Sequence, residues 1–291
     1  MTHPSLALLV LASLLSPTTL VSAEQYDLTK LLGREPKTGE VVREVSSEVE
    51  KGRQVIRRGG KVVQDQASSK SQAYTRLVQV LKADAAGDAL KTRYTYVSYE
   101  REQGETKRVL EVEGLVVVVD QSQQEVTVSA EGKREINPFL ENHLKDEAAD
   151  QPKLAERIKQ LSAFLPDKPV GLNETWTGKP VEVAKALGLS HEGINTKSSR
   201  VKGSLTAGKV KGTLRVLIKV QLTYTTYQSM KCKEPMQVEV TIEAIVPLKA
   251  GDPTGVMNQT MVMGGVLETQ GMLVAIDLEQ SSKTEITHAK K

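Results

Sequence analysis

Polar and apolar residues alternate almost without interruption over 209–227 and again over 236–248. A period of two places the apolar side chains on one face of a β-strand and the polar side chains on the other. The first segment puts Val216, Ile218 and Val220 on its apolar face. The two segments therefore predict a half-buried antiparallel hairpin with one apolar face and one solvated face.

The pairing within this hairpin can be predicted from its apolar and charged positions. Pairing Leu222 with Val240 keeps the apolar faces together and brings Lys219 opposite Glu243, a favourable cross-strand pair. A strand over 209–227 would span roughly 60 Å at about 3.3 Å per residue. We therefore expect this strand to curve, or to break at a bulge near Gly212.

Shorter strand patterns separated by turn residues lie on both sides of a helical segment. Turn pairs such as Gly59-Gly60 and Glu113-Gly114 separate the early patterns. The candidate strands cover 41–49, 61–65, 72–83, 89–101, 105–112, 114–119, 124–130, 255–268 and 272–287.

The segment 137–190 has the spacing of helices instead. Asn137-Pro138 is a helix-start pair, because Asn caps well and Pro suits the first helical position. Asp150 is expected to cap a second helix, and a third is expected to run over 180–187 and to stop at Gly188. The order of elements predicts an α+β, mostly β fold: a large curved antiparallel sheet, half-barrel-like, packed on two or three central helices.

The beginning of the chain has the pattern of a secretory signal peptide. An apolar stretch over 6–15 is followed by Val21-Ser22-Ala23 and then by polar residues, which predicts cleavage after Ala23. The stretch is too short for a membrane span, which needs about twenty residues. We therefore expect an exported protein, periplasmic or extracellular, with one β-rich domain over 24–291. It would comprise a β-rich half over 40–132, a helical linker over 137–190 and a second β-rich half over 194–288.

Composition narrows the function classes. Aromatic residues make up only 3% of the chain, which disfavours nucleic-acid stacking sites. Cys232, the only cysteine, is placed in a hairpin tip and interpreted as a bystander, with an intermolecular disulfide as the alternative. The net charge is +3, and the excess of basic residues lies in the second half of the chain. The lysines and arginine of the long hairpin are candidates for contact with an anionic surface: Lys209, Lys211, Arg215 and Lys219.

The sequence contains no familiar catalytic motif. There is no G-x-S-x-G elbow, no phosphate-binding G-x-x-x-x-G-K-[ST] and no His/Cys spacing typical of zinc. His143 and Glu147, at i and i+4, are interpreted as a structural pair. We therefore predict a protein that is not an enzyme and that has no cofactor, no metal and no nucleic-acid partner.

The segment 165–176 reads Leu-Pro-Asp-Lys-Pro-Val-Gly-Leu-Asn-Glu-Thr-Trp. It resembles the L-P-x-x-P-V-x-x-G-x-x-W element that joins two β-rich halves in a group of exported bacterial proteins of unknown function. The resemblance implies a curved sheet similar to the half-barrel of periplasmic lipoprotein carriers, and it implies no activity. Asn173 stands where the group usually has Gly, and it tolerates the left-handed backbone that the turn requires. Trp176 is expected to anchor the linker on the sheet.

Two functional hypotheses follow from these patterns. The first is a non-catalytic envelope protein that binds an apolar or amphiphilic ligand, such as a lipid, or another envelope protein. It predicts an apolar cleft between the sheet and the helices. The alternative is a structural or interaction module that contacts anionic surfaces through the basic face of residues 197–219.

Overall fold

The computed structural model describes residues 24–32, 37–104, 106–123, 125–151, 153–248 and 254–289. The predicted signal peptide, 1–23, lies outside the described residues. In chain order, the elements are β1 (Gln25–Tyr26), α1 (Leu28–Leu32), β2 (Val41–Arg58), β3 (Lys61–Ala83), β4 (Ala89–Gln103), β5 (Thr106–Val109), β6 (Val116–Asp120), β7 (Thr127–Ala130), α2 (Pro138–Asp150), α3 (Leu154–Ser162), β8 (Val170–Gly171), β9 (Thr175–Thr177), α4 (Pro180–Ala186), β10 (Arg200–Ala207), β11 (Thr213–Tyr227), β12 (Met230–Pro247), β13 (Thr254–Thr269) and β14 (Met272–His288).

Twelve of these strands form one open antiparallel sheet. Its spatial order is β7-β6-β4-β3-β2-β14-β13-β12-β11-β10-β9, and β5 adds to β4. The last strand, β14, pairs along nearly its whole length with the first long strand, β2, as in Val274 opposite Ile56. Both β-rich halves of the chain therefore belong to one sheet, and the predicted mostly β fold with a large curved antiparallel sheet is confirmed.

The predicted hairpin forms from β11 and β12, and its apolar face is buried as expected. Val216, Ile218 and Val220 all lie in the core. We call the face that carries these three side chains the helix-side face of the sheet. The helices pack against this face, and the opposite face is the outer face.

The predicted register of this hairpin is wrong by two residues. Leu222 pairs with Val238, and Lys219 lies opposite Thr241 instead of Glu243. Glu243 instead accepts a hydrogen bond from Arg215, and the distance between Arg215 Nε and Glu243 Oε1 is 2.5 Å. A shift of two residues leaves every side chain on its face, so the apolar pattern cannot select between the two registers. The tight turn at Gln228 and Ser229, both with positive φ, pairs Tyr227 with Met230, and a bulge between Tyr224 and Thr226 then shifts the pairing to the observed register.

The expected bulge at Gly212 is a hairpin turn between β10 and β11. Gly212 has a φ of 81°, and its neighbour Val210 is 63% exposed instead of facing the core. The alternation of polar and apolar residues happened to continue through a turn. The separate strands predicted over 61–65 and 72–83 are in turn one strand, β3. The first ten residues of β3 are exposed on both faces of the sheet, so neither face requires apolar side chains and the sequence there does not alternate between polar and apolar residues.

The helices cover the two ends of the sheet instead of forming one central plug. At one end, Leu140 and Leu144 of α2 are buried with Val117 of β6. At the other end, Val183 and Ala184 of α4 are buried in a larger core with the apolar side chains of β10, β11 and β12. The mid-chain helices therefore build two separate cores on one sheet, and apolar side chains of β2, β13 and β14 at the border of the larger core remain partly exposed.

The helix boundaries follow the predicted capping in part. Asn137 Oδ1 accepts a hydrogen bond from the Phe139 N–H at 2.9 Å, and α2 starts at Pro138 as expected. Asp150 ends α2 instead of capping α3. The first amide of α3, from Leu154, donates to the carboxylate of Asp88, which lies in the turn before β4. A long-range carboxylate replaced the local cap.

The segment 165–176 anchors the linker to the larger core. Asn173 adopts a left-handed φ of 65°, the conformation expected of it. Trp176 is buried, and its Nε1–H donates to the Phe164 carbonyl oxygen at 2.8 Å. Its ring lies directly over Gly203 of β10, where a Cβ atom would overlap it. The structural role predicted for Trp176 is therefore what its contacts indicate.

Candidate binding surface

The apolar part of the helix-side face extends beyond the helices. Val240 of β12 pairs with Met261 of β13, and Met263 pairs with Leu278 of β14. These rows continue the apolar face of the hairpin toward β2. We define the apolar strip as the partly exposed side chains that border the larger core on this face: Ile56, Ile242, Met261, Ile276 and Leu278.

A polar strip borders the apolar strip on the same face. The row through Met261 continues to Gln280 and Glu50, and Glu50 accepts from Lys70 Nζ at 3.1 Å. Gln280 Nε2 also donates a hydrogen bond to Oε1 of Glu48, which lies in the adjacent row, at 2.8 Å. The helix-side face is therefore amphiphilic across β2, β13 and β14.

The interface between α4 and the sheet is filled by side chains. Val183, Leu205, Leu222 and Tyr224 are fully buried there, and the Tyr224 hydroxyl donates to the Ser190 carbonyl oxygen at 2.8 Å. The expected apolar cleft between helix and sheet is therefore closed at this end by the protein's own core. Solvent-accessible apolar surface on this face lies beside the helix, in the apolar strip.

A buried ionic cluster joins α2 to the sheet. Arg76 of β3 is only 4% exposed, and its guanidinium lies between Glu44 Oε2 at 2.7 Å and Glu147 Oε1 at 2.6 Å. Its Cζ lies 4.6 Å from the centre of the Tyr74 ring and 4.2 Å from that of Tyr94. Two carboxylates and two ring faces thus compensate the desolvation of one buried cation.

This cluster shifts the ionisation of its members. Burial would lower the pKa of Arg76, but the hydrogen bond to Glu147 and the two carboxylate charges raise it well above its usual value. Burial would likewise raise the pKa of Glu147, but the hydrogen bond and charge of Arg76 outweigh it and lower that pKa. Burial raises the pKa of Tyr94 to about 12. Arg76 and Glu147 are therefore both charged at neutral pH, and their ion pair clamps α2 to the sheet.

His143 of α2 belongs to the surroundings of this clamp. Its ring packs edge-on to Tyr99 at 5.9 Å and lies 3.3 Å from the Gln72 amide nitrogen. Burial lowers the pKa of His143, although Glu147, 4.0 Å away, opposes that shift. These contacts agree with the structural role predicted for His143.

The four predicted basic residues lie in the turn between β10 and β11 and along the outer face of β11. Lys209 and Lys211 lie in the turn between β10 and β11, whereas Arg215 is paired with Glu243 on the outer face. Lys219 is exposed on the outer face, and the register places it directly opposite Lys202 of β10. Lys202 lies within the basic segment 197–219, but no strand was predicted there, so its place opposite Lys219 could not be predicted.

Cys232 lies in β12, opposite Leu267 of β13, and not in the hairpin tip that the sequence suggested. Its side chain is buried in the larger core. The tip is formed by Gln228 and Ser229 instead, because their left-handed backbone makes the turn. A buried thiol packs as a small apolar side chain, in agreement with the bystander interpretation.

A second group of side chains, which includes two arginines and lines a cavity, was not apparent from the sequence. A cavity of about 220 Å³ is lined by Arg101, Gln103, Thr106, Arg108 and Phe139, where β4, β5 and the first turn of α2 meet. Another hollow, of about 350 Å³, lies around Gly52 and Gly264 in the middle of the sheet. Within the described ranges, no group of three or more His, Cys, Asp or Glu side chains is arranged to hold a metal ion.

None of the helices in the described part of the chain is both long and apolar enough to cross a membrane.

Comparisons with known proteins give no family for this chain. No family model and no curated protein matches it. A solved structure of lipovitellin, determined for its lipid–protein interactions, is 9% identical over 88% of this chain, with a TM-score of 0.34. This chain spans 26% of that lipovitellin chain. A mutant of the TodX monoaromatic hydrocarbon channel is 6% identical, over 87% of this chain and 91% of the channel, with a TM-score of 0.21. Scores this low do not establish a common fold.

Proposed function

We propose that this protein is an exported, non-catalytic binding protein that holds an amphiphilic ligand, such as a lipid, on the helix-side face of its sheet. The observation that carries the proposal is the apolar strip. Its five side chains are contiguous with the core yet remain partly open to solvent, and a polar strip borders them. An amphiphile matches this arrangement, because its apolar part can cover one strip while its polar part meets the other.

Hydrophobic burial would supply the affinity. Covering apolar surface contributes about 25 cal/mol per Å², so a ligand that shields several of these side chains gains a few kcal/mol. Two methionines, Met257 and Met261, lie on this part of β13, and Met257 is 42% exposed. Because the methionine side chain is flexible and polarisable, such a surface suits apolar groups of varied shape.

The strip predicts a face-specific effect of substitution. Met261→Gln is expected to weaken the binding of a fluorescent palmitate analogue by roughly tenfold, since a buried amide without a partner costs about 1–3 kcal/mol. Val262→Gln is the matched control, because Val262 is the next residue on the same strand, faces the other way and is 51% exposed. Fluorescence titration gives both dissociation constants.

Folding must be kept separate from binding in this comparison. Met257→Gln alters a more exposed position of the same face, and it should also weaken binding while leaving the thermal unfolding midpoint near that of the wild type. A wild-type protein without saturable binding would overturn the proposal, as would equal losses in Met261→Gln and Val262→Gln. If Met261→Gln weakens binding and Val262→Gln does not, native mass spectrometry of the protein purified from its own host would identify the natural ligand.

A second candidate function is contact with an anionic surface through the outer face. It rests on Lys202 and Lys219, two exposed lysines that lie directly opposite each other. The double variant Lys202→Gln/Lys219→Gln should reduce binding to phosphatidylglycerol vesicles at low salt severalfold, and raising the ionic strength should do the same to the wild type. Sedimentation of the vesicles measures the bound fraction. Wild-type binding that is insensitive to salt would count against this function.

A further inference from the structure

Two arginines lie side by side on the helix-side face of the β4–β5 hairpin. The register pairs Arg101 of β4 directly with Arg108 of β5. Residues paired in this way have Cβ atoms about 5 Å apart, and like charges at such positions repel each other. The same row continues through Gln72 of β3, which contacts His143 of α2, so both arginines face the side on which α2 lies.

No carboxylate offsets this pair within the described parts of the chain. The neighbouring acids, Glu100 and Glu102, lie on the outer face, where both pair with Lys107 at 3.1 and 3.7 Å. Their ion pairs therefore leave the two guanidinium groups on the opposite face without an anionic partner among the described residues. A repulsive pair of this kind is stabilised when an anion binds between the two charges.

The surroundings of the pair form a cavity that is partly open to solvent. The two arginines line a space of about 220 Å³ together with Gln103, Thr106 and Phe139. The Phe139 ring, in the first turn of α2, lies 4.8 Å from Arg101 Cζ and holds that guanidinium in place by a cation–π contact. Gln103 and Thr106 add a neutral amide donor and a hydroxyl donor.

We propose that this cavity binds a phosphate group. Two guanidinium groups present paired N–H donors in a planar fork, the geometry that recognises phosphate oxygens bidentately. Their combined charge matches the two negative charges of a phosphomonoester. The cavity is larger than a bare phosphate, which leaves room for the atoms to which the phosphate is attached.

This site is independent of the function proposed above. It lies at the opposite end of the helix-side face from the larger core, and it needs neither Met257 nor Met261 for its chemistry. A phosphate group can belong to a lipid headgroup or to a small soluble compound. Both sources share the chemistry that the arginines recognise, and the choice of probes distinguishes them.

The test uses the full-length protein and two probes, inorganic phosphate and lysophosphatidic acid below its micellar concentration, each titrated calorimetrically. Saturable binding of at least one probe is expected, and Arg101→Gln or Arg108→Gln should each weaken it by at least about tenfold. Lys107→Gln is the matched control, because it removes the same charge one residue away on the outer face. Much tighter binding of lysophosphatidic acid would identify a lipid source, and equal binding would identify a soluble one.

Thermal unfolding without ligand separates binding from folding. If the pair is a ligand site, Arg108→Gln should leave the unfolding midpoint unchanged or raise it, because a repulsion is removed. A clear decrease in that midpoint would show that the pair is structural and would overturn the proposal. The absence of saturable binding of both probes to the wild type would overturn it too, as would an equal loss of affinity in Lys107→Gln.

Discussion

Arg76→Met is expected to lower the free energy of unfolding by about 3–5 kcal/mol, the usual cost of removing one partner from a buried ion cluster. Arg76 is almost completely buried and binds Glu44 and Glu147 at once. Without it, two carboxylates remain at the interface of α2 and the sheet, and two tyrosine rings lose the cation between them. Urea unfolding followed by circular dichroism measures the difference.

Arg93→Met is the matched control for this substitution. Arg93, on the neighbouring strand, pairs with Glu131 at 2.7 Å, but both side chains are well exposed. Exposed pairs contribute at most about 1 kcal/mol, so this variant should unfold close to the wild type. Equal effects of the two substitutions would contradict the clamp role assigned to Arg76.

The same cluster predicts a loss of stability in acid. The pKa of Glu147 is lower in the folded protein than its usual 4.5, because the hydrogen bond and charge of Arg76 outweigh burial. A lowered folded pKa contributes stability above the unfolded pKa, and that contribution is lost as the pH falls through the folded pKa. Below about pH 4.5 the wild type should therefore lose stability more steeply than Glu147→Gln, as urea titrations at several pH values would show.

Gly203→Ala is expected to destabilise the protein by about 3 kcal/mol, the upper part of the range for overpacking a core. The Trp176 ring lies directly on Gly203, so a methyl group there must displace it. The displaced ring would lose its burial and its hydrogen bond to the Phe164 carbonyl oxygen. Trp176 is the only tryptophan, so a red shift of the emission spectrum reports this displacement directly.

Gly255→Ala provides the comparison within a strand. Among the described residues, a Cβ at Gly255 would approach only the Ile245 carbonyl oxygen, at 3.8 Å. Alanine fits without strain there and restricts the unfolded chain, so stability should stay unchanged or rise by about 0.4–1 kcal/mol. If Gly203→Ala had the emission spectrum and stability of the wild type, the position of the Trp176 ring would not depend on the absence of a side chain at residue 203, and the prediction would be wrong.

Local features of this fold could be predicted because each depends on residues close in sequence. Alternation placed Val216, Ile218 and Val220 on a buried strand face, since the strand period is two. Asn137 starts α2 because its own side chain satisfies a helix amide. Asn173 turns the linker because its backbone tolerates a positive φ.

The candidate sites could be predicted only in part. The apolar strip extends rows that alternation assigns to one face, and Met257, Met261 and Met263 share that face in the sequence pattern itself. Its exposure could not be predicted, because exposure depends on where the helices pack. Of the predicted basic residues, Lys209 and Lys211 lie in a turn and Arg215 pairs with Glu243, and this pairing depends on the register, which alternation does not determine.

The amino-acid sequence alone determined where most of the strands and helices lie and which face of the central hairpin is buried, because these properties depend on local periodicity and caps. Tertiary structure decided the register of β11 against β12, since a two-residue shift keeps every side chain on its face. It also decided that β14 pairs with β2, that Arg76 is buried between two acids, and that Arg101 lies beside Arg108. Each of these depends on strand pairing and packing beyond the reach of a local sequence pattern.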